Sequence, residues 1–205
     1  MQKQRSNGRR AHPTNRRNGQ SNAVDEHERS RDFLSVVEVD ALIAGARQSR
    51  YPERNQLLIL MTFRHGLRIS EALNLRLDHL NLREARVWVE RLKGSLSTEH
   101  PIAGDELRMI RRYLRTRDDN LPWLFLSDRG QQMTRRTAQY IIGQAADRST
   151  LTCHLHPHIL RHSCGYYLAN KGHDTRMIQD YLGHRDPSHT AHYTRTASSR
   201  FEGLW

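Results

Sequence analysis

Tyr193 is the residue whose surroundings most suggest chemistry. A phenol with an ordinary pKa of about 10 is nearly all protonated at neutral pH, so it acts as a nucleophile only beside a base and positive charge. The residues upstream offer both. Leu182-Gly183-His184 stands nine positions before it, and Thr190 falls between. Earlier comes His158-Ile159-Leu160-Arg161-His162. His158 and Arg161 are spaced i and i+3, so a helix would set both on one face. Together they could present a proton shuttle and a charge clamp to a phosphate. Gly66-Leu67-Arg68-Ile69-Ser70-Glu71 puts an arginine at a predicted helix start, with an acid three positions later. The helix N-terminus favours an anion, Arg68 adds a two-pronged donor, and Glu71 could hold a neighbouring guanidinium. Lys93-Gly94-Ser95 reads as the tip of a hairpin, from which Lys93 could reach a groove and protonate a leaving oxygen.

Each piece has an ordinary explanation when taken alone. Arg68 and Glu71 could be a surface helix pair worth a few tenths of a kcal/mol. Lys93 could be a solvated turn residue, and Tyr193 could pack its ring with the hydroxyl in water. His154, His156, His158 and His162 also invite a zinc reading. His158 and His162 are i and i+4, but no acid lies between them as an HExxH site requires, so structural roles are favoured for the extra histidines and no metal is expected.

The order Arg, Lys, His-x-x-Arg, Gly-His, Tyr is far more specific than any of its parts. That set resembles the catalytic signature of the tyrosine recombinases, the phage integrase family. The stretch from His156 to Gly165, the stretch from Asp174 to His184 and the ending Arg200-Phe201-Glu202-Gly203-Leu204-Trp205 are similar to the short members that invert fimbrial promoter elements. The resemblance covers roughly residues 33 to 205. It implies that Arg68 and Arg161 grip a scissile phosphate, that His158 accepts the tyrosine's proton, and that Lys93 protonates the 5′-oxygen. It further implies that His184 steadies the phosphate and that Tyr193 becomes joined to DNA as a 3′-phosphotyrosine. The implied reaction is a transesterification needing neither metal nor nucleotide cofactor. Implied partners are double-stranded DNA with inverted repeats, a homotetramer assembled on it, and accessory DNA-bending proteins. Larger members carry a helical N-terminal domain, whereas here a basic arm precedes Phe33, as in the short fimbrial members.

These residues need a frame to bring them together. Ser35-Val36-Val37-Glu38 has capping-box spacing, and Leu34 could staple a helix running to about Arg47. Further helices are predicted over about 52–65, 69–75, 105–116 and 134–147, and the last third is helical with breaks at Gly172, Gly183 and Pro187. Between them the period changes to two. Residues 86–92 and 97–102 read as paired strands, and 122–126 is a short apolar run. The expected fold is mainly α with a small antiparallel β-hairpin sheet, an α+β tyrosine recombinase catalytic domain over residues 32–205.

Composition sets the partner class. The 205 residues carry a formal net charge of +11, with 27% charged and 36% hydrophobic residues. Nucleic acid is the first candidate for an acidic partner and an anionic membrane surface the second. Residues 1–31 have almost no apolar content and are expected to be a disordered basic arm. The first twenty contribute six positive charges and no acid, which leaves +5 for the rest. Such an arm can add phosphate contacts or simply be solvated. Two cysteines, no run long enough to span a bilayer and no signal sequence point to a reduced, cytoplasmic protein without a membrane partner, and the resemblance implies a bacterial, nucleoid-associated one. A DNA-binding regulator without turnover and a metal-dependent nuclease are the rival readings.

Overall fold

The computed structural model describes residues 32–92, 95–151, 155–156 and 158–197. The basic arm, Lys93, His154 and the ending from Arg200 to Trp205 lie outside these residues. Helix α1, Val36–Ala46, starts as its sequence predicts. The Ser35 hydroxyl accepts from the Glu38 amide, while the Glu38 carboxylate accepts from the Ser35 amide at 2.8 Å. Two otherwise unpaired donors are thereby satisfied. Just before it, the Leu34 amide donates to Ser163 Oγ at 2.8 Å and ties the start of the domain to its C-terminal third.

Helix α2, Pro52–Arg64, has proline in its first turn, where the missing N–H costs nothing. Its run from Leu57 to Met61 is buried almost all round, so α2 is the central helix of the core. The short α3, Ile69–Leu73, follows. Three antiparallel strands come next: β1, Leu80–Asn81; β2, Arg86–Val89; and β3, Thr98–Pro101. Val87 faces His100 and Val89 faces Thr98 in the register. Both predicted strands are shorter than their sequence runs, and β1 was not foreseen. Two residues are too few to display an alternation. β2 ends early because Arg91 turns its side chain into the core, where it bonds four groups from other elements.

The remaining helices are α4, Gly104–Leu114; α5, Arg135–Asp147; α6, Ile159–Asn170; α7, Thr175–Leu182; and α8, Ser188–Thr196. Thr134 and Asp174 cap α5 and α7 through their side-chain oxygens. The apolar run at 122–126 buries Leu124 and Phe125 and joins the chain by isolated bridges, Arg76 to Trp123 and Leu126 to Gln132. Helix α2 packs on α1, α4 and α6, while α6 packs on α7 and α8. The C-terminal helices are thus seated on the element that leads into Arg68. Among the described residues no helix is long and apolar enough to cross a membrane.

Candidate active site

Arg68 is the N-cap of α3, and its backbone is extended. Its side chain does not cap the helix. Glu71 reaches back instead, accepting from the Arg68 amide at 2.9 Å and from its guanidinium. Glu71 is buried and also receives Arg91 Nη1 at 2.9 Å, while Arg161 Nη1 lies 3.7 Å away. Burial alone would push the Glu71 carboxyl up. The charges of Arg91 and Arg161 and the hydrogen bonds from Arg68 outweigh it, so the net shift is downward and the group stays ionised. One carboxylate therefore sets three guanidinium groups.

Arg161, in the first turn of α6, is buried, donating to the carbonyls of Gly66 and Leu182. Burial, reinforced by Arg91 and Arg68, lowers its pKa to about 10, which leaves it charged at neutral pH. Both contacts are structural: one comes from the loop before Arg68, the other from the residue before Gly183. Gly183 ends α7 in the left-handed region, with φ of 70°. The next residue, His184, is buried, and its Nδ1 lies 2.8 Å from Thr190 Oγ1. Burial first and the charge of Arg161 second push His184 down to about 3, so the ring is neutral.

Tyr193 lies on α8 and is 2% exposed. Its ring stacks with His184 at 6.3 Å between centroids and meets Tyr166 edge-on at 5.1 Å. The approach to α6 is so close that a Cβ on Gly165 would come within 2.6–2.8 Å of the Tyr193 ring. Glycine at 165 is therefore what leaves space for the phenol. Burial pushes the Tyr193 phenol above its ordinary range, with the charge of Arg161 opposing it. The hydroxyl is not in open water, because it lies 2.9 Å from His162 Nδ1.

His158 sits one position earlier than the helix-face reading required, at the N-cap of α6, and is exposed. It still lines the same cleft of about 380 Å³ as Arg161, His162, His184, His189 and Tyr193. The structure thus gathers His158, Arg161, His184 and Tyr193, with Arg68 linked to them through Glu71. Lys93 lies outside the described residues, but its flanks are anchored here. The Leu92 amide points to Glu71 at 3.4 Å, and the Leu96 carbonyl sits over Gly183.

Two residues were not singled out by sequence reading. Arg91 could have been found, since the inward alternation of Val87 and Val89 continues to it and places a charge on a buried face. His162 was seen only as a spare histidine; no local pattern sets it against Tyr193, which is 31 positions away. Among the described residues no three His, Cys, Asp or Glu side chains are placed to hold a metal ion.

Comparison with known proteins agrees with this arrangement. Residues 32–200 match the model of the phage integrase family. The chain belongs to the phage integrase family, the tyrosine recombinases. This recombinase is 39% identical over 181 residues to the type 1 fimbriae regulatory protein FimB of Escherichia coli (strain K12), covering 86% of this chain and 90% of that one. It is 42% identical over 180 residues to FimE of the same strain, covering 85% and 91%. Among solved structures, the XerA recombinase superposes with a TM-score of 0.72 at 26% identity, over 82% of this chain and 62% of that one.

The buried histidines of the recombinase give its stability a pH dependence. Burial lowers His162 to about 4, His184 to about 3 and His100 to about 2, against an unfolded value of about 6.5. All three are neutral in the fold. As pH falls below 6.5 the unfolded chain takes up protons that the fold refuses, so stability is complete above that pH and declines towards the folded values. Between pH 7 and 5 the loss should be on the order of a few kcal/mol, after allowance for the partial exposure of His162. Urea titrations across this range check it. A flat midpoint would contradict neutral burial of these rings.

Proposed function

We propose that this recombinase cleaves and rejoins double-stranded DNA at inverted repeats through Tyr193, and so inverts a short DNA element that controls fimbrial expression. The observation that supports this most is that Tyr193 lines one cleft with Arg161, His158 and His184, while Glu71 holds Arg68 and stands 3.7 Å from Arg161. In phosphoryl transfer, charge develops on the non-bridging oxygens, so the protein's task is mainly positioning and electrostatic stabilisation. In this reading Arg68 and Arg161 hold those oxygens, and His184 steadies the phosphate. The resemblance assigns the Tyr193 proton to His158, which is exposed and lines the same cleft. Lys93, on the hairpin anchored at Leu92 and Leu96, protonates the departing 5′-oxygen. The phosphorus–oxygen bond to the 5′ side breaks as the bond to Tyr193 forms, and a 5′-hydroxyl of another strand reverses the step.

The fimbrial role is supported by the similarity to FimB and FimE, which spans about nine-tenths of their length. We place residues 32–205 as the catalytic domain and residues 1–31 as a basic arm that adds phosphate contacts. Exchange of strands between two duplexes calls for four active sites, hence a homotetramer on DNA, assisted by DNA-bending proteins in the cytoplasm. The test is a nicked substrate that traps the covalent intermediate. Tyr193→Phe should bind this DNA with unchanged affinity and give no adduct. Adduct formation by that variant would overturn the assignment.

A further inference from the structure

We infer that His162 is the group that takes the Tyr193 proton during cleavage and returns it during ligation, with Asp32 facing the imidazolium that forms; this rests on Tyr193 being the nucleophile. The geometry is direct. His162 Nδ1 lies 2.9 Å from the Tyr193 hydroxyl, and the opposite nitrogen, Nε2, lies 3.8 Å from an Asp32 carboxylate oxygen. A neutral ring with its proton on Nε2 accepts the phenol's hydrogen bond at Nδ1 and presents an N–H towards the acid. The same carboxylate lies 2.5 Å from His156 Nε2. Asp32 immediately precedes Phe33, whose ring stacks on Tyr166 at 3.9 Å, so the acid is held by the entry of the chain into the domain.

The proton balance follows. In cleavage the phenol oxygen bonds to phosphorus, its proton passes to Nδ1, and the 5′-oxygen leaves with a proton from another donor. In ligation the 5′-hydroxyl attacks, the phenol oxygen leaves, and His162 gives its proton back. The resemblance gives this role to His158, which stands at the exposed cap of α6 with its ring centroid 6.4 Å from that of His162, whereas the 2.9 Å contact to the phenol is made by His162.

The charged and titratable groups facing His162 come from every neighbouring segment. They are Asp32 before α1, His156 and His158 before α6, Arg161 on α6 and Tyr193 on α8. Burial, with His156, His158 and Arg161, keeps the resting ring neutral with a pKa of about 4, while Asp32 opposes them. A neutral ring is the form able to accept a proton across the physiological range.

The experiment compares wild type, His162→Gln and Asp32→Asn on the nicked substrate over pH 6–9. Glutamine keeps an oxygen acceptor for the Tyr193 hydroxyl but cannot take its proton. His162→Gln should bind DNA normally and form adduct about 10²–10⁴ times more slowly at neutral pH. Its rate should climb with pH as solvent replaces the base, while wild type stays nearly flat. Replacing the 5′-bridging oxygen by sulfur removes the need to protonate the leaving group, and it should not rescue His162→Gln. Asp32→Asn should slow adduct formation about tenfold, as loss of a group that stabilises the imidazolium. Near-wild-type rates in His162→Gln, a loss equal at every pH, or rescue by sulfur would each overturn the inference. If the Tyr193→Phe control still forms adduct, the nucleophile assignment fails instead, so the two failures are told apart.

Discussion

Replacing Glu71 by glutamine should unfold the domain by about 3–5 kcal/mol relative to wild type, the range seen when one partner of a buried ion pair is removed. The reason lies in the number of cations that depend on it. Glu71 accepts from the Arg68 amide and guanidinium and from Arg91, and it stands 3.7 Å from Arg161. Glutamine preserves shape but offers one oxygen where the carboxylate offers two. Its amide hydrogens would face donors. Arg91 and Arg161, both buried, would be left without a counter-charge. Catalysis should suffer as well. Arg68 and Arg161 would lose the group that fixes their separation, and misplacing preorganised donors typically costs about 10²–10³ in rate. Urea unfolding and trapped-adduct rates measure the two effects separately. A variant within about 1 kcal/mol of wild type would show that the arginines are held by their carbonyl contacts alone.

Gly183→Val should be the second large effect, through the backbone. Gly183 has φ of 70°, where a β-branched L-residue is strongly disfavoured, at a cost of about 1–3 kcal/mol. Space is also lacking. A Cβ there would meet the Leu96 carbonyl at 2.7 Å and Arg91 Cγ at 2.9 Å. The carbonyl belongs to the loop that joins β2 to β3 and the arginine to the Glu71 cluster, so neither yields without moving part of the site. Leu182, just before, supplies a carbonyl to Arg161, and His184 follows directly. Stability should fall by about 2–4 kcal/mol and strand cleavage by at least about 10²-fold, since ångström shifts of catalytic groups carry that cost. Gly172→Val is the matched control. Its φ is 80°, but nothing lies within 4 Å of a Cβ there, so it should lose stability while cleavage by the folded fraction is unchanged. Equal loss of cleavage in both variants would show that strain, not displacement of the hairpin, is responsible.

Much of the helical frame was legible in the chain because its signals are local. The capping box at Ser35, the breaks at Gly172, Gly183 and Pro187, and the period-two alternation around Val87 and Val89 each depend on neighbours within a few positions. The order of Arg68, Lys93, His158, Arg161, His184 and Tyr193 likewise identified the family, since order is a property of sequence. Strand limits were less legible. β2 stops at Val89 because Arg91 leaves the ladder for partners on α3, α7 and the loop between α2 and α3.

What the sequence determined by itself is therefore the class of fold, the family and the glycine positions where the chain must turn. Only the tertiary structure decided which groups touch. It placed Glu71 beneath three arginines, set Gly165 against the Tyr193 ring, and put His162, rather than the exposed His158, against the phenol hydroxyl. The physical reason is that hydrogen bonds and burial act between atoms brought close by packing α6 on α2 and α8 on α6. Residues 31 positions apart carry no sequence mark of such a contact, and the i, i+3 spacing to Arg161 pointed to His158 instead.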